Sequence, residues 1–168
     1  MEPTYLALWL APMAEDIRTQ DRHLEALLRL LRIPDGQATP QERIQWMRKS
    51  FDDASSFGRV LVIKHVETDT IVGVALLVPM YTLISRRCGV VEDLTIEQAL
   101  DAREQYRITS LLLRTLVEEA RKIQMDKIFA NPQREHELLI CLELNFDMDE
   151  QSQRMYRNLQ PAPSGQEP

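Results

Sequence analysis

The chain has 168 residues, 44% of them hydrophobic and 27% charged, with 20 Lys and Arg against 26 Asp and Glu for a formal net charge of -6. That length and apolar share support one domain with its own core and exclude a disordered, collagen-like or disulfide-scaffold chain. The acidic balance and the lack of any basic tract exclude nucleic acid and anionic membrane as default partners.

Tyr5 to Leu10 is a short apolar and aromatic run that stops before Pro12, the pattern of a buried strand. From Met13 onward Ile17, Leu24, Leu27, Leu28 and Leu31 recur at three- and four-residue steps, predicting an amphipathic helix that ends before Pro34-Asp35-Gly36. Thr39-Pro40-Gln41-Glu42 reads as a capping box with proline at the first helical position. It opens a second helix with Ile44, Met47 and Phe51 on its apolar face. Arg59 to Val66 and Ile71 to Val78 are rich in Val, Ile and Leu and are joined by Glu67-Thr68-Asp69-Thr70, which predicts an antiparallel hairpin.

Cys88 to Ile96 is a further β-branched run. After a polar stretch, Ile108 to Met125 carries Leu112, Leu113, Leu116, Val117, Ala120 and Ile123 on one helical face. Lys127 to Ala130 reads as a short strand, and Asn131-Pro132 as the N-cap and first residue of a helix reaching about Leu144. Strand character resumes from Phe146, and a single domain over 1–158 is followed by a disordered tail over 159–168, which holds three prolines with Ser and Gly. The order predicts an α/β fold: a mixed sheet of six to seven strands with helices on both faces. The sheet is antiparallel in its first part and parallel around the strand-helix-strand crossover.

Cys88 and Cys141 have no Cys-x-x-Cys spacing, which suits a reducing, cytoplasmic compartment. YLALWLAPMA follows Glu2 rather than a basic segment and reads as a strand, not a leader. No run approaches the roughly 20 apolar residues of a membrane helix. His23, His65 and His136 lack zinc-ligand spacing and read as surface or satisfied structural histidines, with no metal site implied.

The hairpin RVLVIKHVETDTIVGVALLV, the strand VVEDLTI, the helix ITSLLLRTLVEEARKIQMDKI and the ending LLICLELNF, in that order, resemble the GNAT superfamily of acyl-CoA-dependent N-acyltransferases over residues 4–158. Gly73 matches a common family position. The resemblance implies a GNAT-like fold and makes acetyl-CoA or another acyl-CoA the cofactor if the site functions. The positions it assigns to that cofactor are Leu94, Ile96, Arg103, Arg107, Ile108, Thr109, Ser110 and Asn131. Family members hold the cofactor's pyrophosphate on backbone N–H groups of a Gln/Arg-x-x-Gly-x-Gly/Ala loop that opens the central helix.

The corresponding stretch here is Glu104-Gln105-Tyr106-Arg107-Ile108-Thr109, in which Arg107 and Thr109 replace the glycines and Glu104 would repel a diphosphate. No shift of alignment restores a glycine, because none lies between Gly89 and Gly165. Arg103 and Arg107 either contact phosphate together with Thr109 and Ser110, or form a solvated surface partly paired with Glu104.

Cys141 falls where the family places the tyrosine that protonates the leaving thiolate, and reads either as a proton donor or as a small buried residue. Asn145 stands where the family has glycine, and asparagine tolerates the left-handed conformation at a helix end. Glu92 is the candidate base, against a strand-end carboxylate paired with Arg86 or Arg87, and alternation puts Glu92 and Asp93 on opposite faces of the sheet. Trp46 would line an acceptor pocket or belong to the core.

Two functions follow. One is an acetyltransferase-like protein with a weakened or inactive acyl-CoA site and a binding or regulatory role toward a protein partner. The other is a working N-acyltransferase that moves an acyl group from acyl-CoA to a small amine acceptor.

Overall fold

Glu67 to Thr70 closes the first hairpin because Asp69 takes a left-handed conformation, φ 53°, which a short polar side chain tolerates. The computed structural model describes residues 3–9, 21–31, 39–80, 87–149 and 154–159. In chain order these form β1 (Tyr5–Trp9), α1 (Asp21–Leu30), α2 (Pro40–Phe57), β2 (Arg59–His65), β3 (Thr70–Met80), β4 (Cys88–Ile96) and α3 (Ala102–Lys122). They continue as β5 (Lys127–Ala130), α4 (Glu135–Glu143), β6 (Asp147–Asp149) and β7 (Arg154–Asn158). The first half of the expected first helix, from Met13, lies outside the described residues, as does the expected tail apart from Leu159. The Leu159 N–H donates to the Asp126 carbonyl at 2.8 Å.

The strands form one seven-stranded sheet in the order β1-β2-β3-β4-β5-β7-β6. Only β4 and β5, the pair joined by the α3 crossover, run parallel. Alternation along β2 and β3 divides the core between the two faces. Val60, Val62, Ile71 and Val74 meet Leu24, Leu27, Leu28, Ile44 and Met47 of α1 and α2 on one face. Leu61, Ile63, Ala75 and Leu77 meet Ile108, Leu112, Leu116 and Ala120 of α3 on the other, where Ile140 and Cys141 of α4 complete the layer. Helix α3 lies so close to β3 that a Cβ on Gly73 would come within 2.9 Å of Ile108 Cγ2 and 3.3 Å of Leu112 Cδ1. Glycine is required there for close packing.

Two helix starts differ from the sequence expectation. Helix α3 begins at Ala102, six residues before Ile108, because Asp101 caps it: its backbone is extended (φ -66°, ψ 164°) and its Oδ1 accepts the Glu104 N–H at 2.8 Å. Helix α4 begins at Glu135 rather than at Pro132. The Glu137 carboxylate accepts the N–H groups of Gln133 at 2.7 Å and Arg134 at 3.2 Å, which fixes the helix start three residues further on. The strand expected after Phe146 is a pair, β6 and β7, in an antiparallel ladder. Trp46 is 52% exposed on α2, so it is not a core residue. Helix periodicity gives the inward position to its neighbour Met47, 1% exposed.

Candidate functional site

Strands β4 and β5 share a ladder only from Cys88–Lys127 to Val90–Phe129. Beyond it β4 runs on to Ile96 while β5 stops at Ala130 and the chain turns off at Asn131-Pro132. From Val91 onward the edge of β4 that faced β5 therefore has no ladder partner, and the sheet opens into a cleft.

A β-bulge shapes the mouth of this cleft. Val74 pairs with Thr95 and Leu76 with Glu92, so the single residue Ala75 stands opposite both Asp93 and Leu94. The extra residue is accommodated by Asp93 at φ 51°. A bulge frees backbone polar groups from the ladder and re-aims the side chains beside it. The bulge interrupts the period of two at Asp93, and Glu92 and Asp93, both exposed, line the cleft.

The cleft encloses about 210 Å³. Of the residues assigned from sequence it gathers Glu92, Leu94, Asn131 and Cys141, and it adds Asp93, Leu113, Gln133 and Glu137. Ile96 instead lies 1% exposed in the core. Glu92 has no hydrogen-bond or ion-pair partner among the described residues. Of its two expected partners, Arg86 lies outside the described residues, and Arg87 adjoins Asp126, whose Oδ2 accepts the Arg87 backbone N–H at 3.1 Å.

Cys141 is 1% exposed, and its thiol is pushed up to about 12, chiefly by burial and further by the carboxylate of Glu137. Glu137 itself is 5% exposed, held by the two backbone N–H groups that start α4. Sequence reasoning missed it, because a glutamate in a helix's first turn reads as a dipole partner and nothing in its neighbours announces burial. Asn145 takes φ 57° at the end of α4, in agreement with its expected left-handed role.

Arg103, Arg107, Ile108, Thr109 and Ser110 all lie within α3, so no loop exists at 104–109. Ile108 and Thr109 face the core at 0% exposure, and the Thr109 hydroxyl is buried without a hydrogen-bond partner. The Tyr5 hydroxyl donates to Glu104 Oε1 at 2.9 Å. The Arg107 guanidinium lies over the Tyr5 ring, 5.7 Å from its centroid. Burial, with the bond to Glu104, raises the Tyr5 phenol to about 12. Arg107 and Ser110 line a groove between α3 and β1.

His23 is only partly satisfied. It is 2% exposed, its Nε2 lies 3.0 Å from the Asp69 carbonyl, and its Nδ1 has no partner. Among the described residues there is no group of three or more His, Cys, Asp or Glu able to hold a metal, and no helix long and apolar enough to cross a membrane.

No family model matches the chain. No curated protein matches its sequence. Solved structures match its fold throughout. An acetyltransferase from Trypanosoma brucei superposes with a TM-score of 0.62 at 18% identity, over 89% of this chain and 96% of that one. The NatC complex, solved with a Gag peptide and CoA, contains a chain that superposes with a TM-score of 0.63 at 13% identity, over 95% of this chain and 100% of that one. The Salmonella typhimurium protein yncA, solved with its cofactor acetyl-CoA, gives 0.60 at 12% identity, over 95% and 96%. At these identities the likeness establishes the fold: the chain has the mixed seven-stranded α/β architecture of GNAT acetyltransferases.

Proposed function

We propose that this chain is an acetyltransferase-fold protein that has lost the pyrophosphate cradle for acyl-CoA and acts by binding, in a regulatory role toward a protein partner. One observation carries the reading: α3 starts at Ala102 under the carboxylate cap of Asp101. Inside a helix every backbone N–H is taken by the carbonyl four residues earlier, so only the first turn offers donors to an anion. The N–H of Gln105 already goes to the Asp101 carbonyl at 2.9 Å, and that of Glu104 to the Asp101 side chain at 2.8 Å. A diphosphate seated there would meet the Asp101 carboxylate, with Glu104 in the same turn. These residues do not fit the group.

Cys141 supports the same reading. A thiol held at about 12 would have to protonate a leaving thiolate whose own pKa is near that of an ordinary thiol, about 8.5. Such a transfer runs uphill. The sulfhydryl is better understood as a small apolar group in the α4 layer.

The alternative, a working N-acyltransferase, draws on the opposite end of the site: the open cleft, the exposed Glu92 and the unpaired edge of β4. Acetyl transfer from acetyl-CoA to a panel of small amines and peptide N-termini, by wild type and Glu92→Gln, separates the two. The expected result is no turnover above the buffer rate in either protein. Turnover by wild type that disappears in folded Glu92→Gln would establish the alternative.

A further inference from the structure

The groove between α3 and β1 is larger than the cleft, about 540 Å³, and lies outside the site described above. Pro3, Thr4 and Tyr5 line one wall, and Tyr106, Arg107, Ser110, Leu111 and Arg114 the other. In a chain of net charge -6 its lining carries two arginines and no acid. The Arg114 Nε donates to the Ser110 hydroxyl at 3.0 Å, which steadies a guanidinium on an exposed side chain. The carboxylates nearest the groove, Glu104 and Glu143, stay charged beside it and accept hydrogen bonds from the Tyr5 and Tyr106 hydroxyls.

The wall formed by β1 has a second property. Among the described residues β1 is the first strand of the sheet and pairs only with β2. Because the Thr4 carbonyl accepts from the Val66 N–H, the alternation of an antiparallel ladder turns the backbone groups of Leu6 and Leu8 toward β2 and those of Tyr5, Ala7 and Trp9 outward. The side chains of Tyr5, Ala7 and Trp9 pack toward α3, whereas Leu6 is 46% exposed on the opposite face. A strand laid along this edge would send alternate side chains to the arginines and the intervening ones to Leu6.

We propose that this edge is a docking site for an extended acidic peptide segment of a partner protein, added as a strand to β1. Its alternate acidic side chains enter the Arg107/Arg114 groove, and its intervening apolar side chains cover Leu6. Main-chain bonds to the outward groups supply a sequence-independent share of the affinity, and charge and apolar alternation supply the selectivity. The arginine fork suits a carboxylate by paired N–H donation.

The test uses the full chain and a fluorescent seven-residue probe with alternating valine and glutamate, capped at both ends, followed by polarisation. The expected result is saturable binding that weakens at least tenfold when Arg107→Glu and Arg114→Glu are combined, and no binding of the same probe with lysine in place of glutamate. Two further probes, N-methylated on one or the other alternate set of amides, keep the test independent of whether the charge reversals fold. One methylated set faces β1, so one probe should lose binding and the other retain it. The proposal is overturned by absence of binding to wild type, by equal affinity for the glutamate and lysine probes, or by full retention of both methylated probes. It is equally overturned if the edge is occupied by a second copy, seen as a wild-type dimer that Leu6→Lys dissociates.

Discussion

The cleft between β4 and β5 and the N-terminal end of α3 are neighbours in sequence, yet they depend on different numbers of residues. The cleft arises from the topology of the sheet: a parallel ladder that ends at Val90–Phe129, a bulge at Asp93, and an α3 layer packed against Gly73. The packed core layers on the two faces of the sheet maintain it, and no single side chain defines it. An anion cradle depends on a few backbone N–H groups at a helix end, and on the proposed reading one aspartate with one extra turn of helix removes it. A fold can therefore be kept intact while a binding function written in so few residues is lost.

The comparison is broken most forcefully from the core side. Leu112 is 0% exposed in the α3 layer beneath β3, and Leu112→Ala should cost about 2–5 kcal/mol of stability by leaving a cavity. Urea midpoints measure this, and a loss below about 1 kcal/mol would show that α3 is not what holds the sheet open. At the other region a much smaller change should act on binding rather than on the frame. Asp101→Ala removes the cap, at about 1 kcal/mol of stability, and releases the first-turn donors from a competing carboxylate. Inorganic pyrophosphate should then bind several-fold more tightly by calorimetry than to wild type; unchanged affinity would show that the cap is not the obstacle.

Cys141 in the cleft and Tyr5 beside the start of α3 can each be probed through pH. The folded pKa of Cys141, about 12, lies above the unfolded value of about 8.5, so the folded state holds this proton more tightly. Its contribution to stability is complete below the unfolded pKa and is lost as pH rises toward 12. Tyr5, also raised to about 12, adds the same trend from its ordinary value of about 10 upward. Wild type should lose stability between about pH 9 and pH 10, and Cys141→Ala should flatten that interval while costing on the order of 1 kcal/mol at neutral pH. An identical slope in the variant would remove the buried thiol from the account.

Much of this frame was legible in the sequence. β4 and β5 have the residue limits expected from Cys88–Ile96 and Lys127–Ala130, because β-branched runs bounded by polar residues are strong local signals. The bulge at Asp93 was not legible, since its left-handed residue is an aspartate with no turn signal around it. The start of α3 was legible but overlooked. Asp101 followed three residues later by Glu104 is a helix-start pattern, and it was obscured by aligning 104–109 with a family loop. The apolar periodicity that begins at Ile108 marks where the helix becomes buried, not where it begins. The burial of Glu137 and the groove beside β1 depend on contacts between distant segments, which no local pattern records.

The central claim is that the capped end of α3 has removed the acyl-CoA pyrophosphate site. Calorimetric titration of the wild-type chain with acetyl-CoA tests it directly. The account predicts no saturable binding up to about 1 mM, a free energy weaker than about 4 kcal/mol. A dissociation constant in the low micromolar range, about 8 kcal/mol, would contradict it, because a helix end already occupied by a carboxylate cannot supply that affinity.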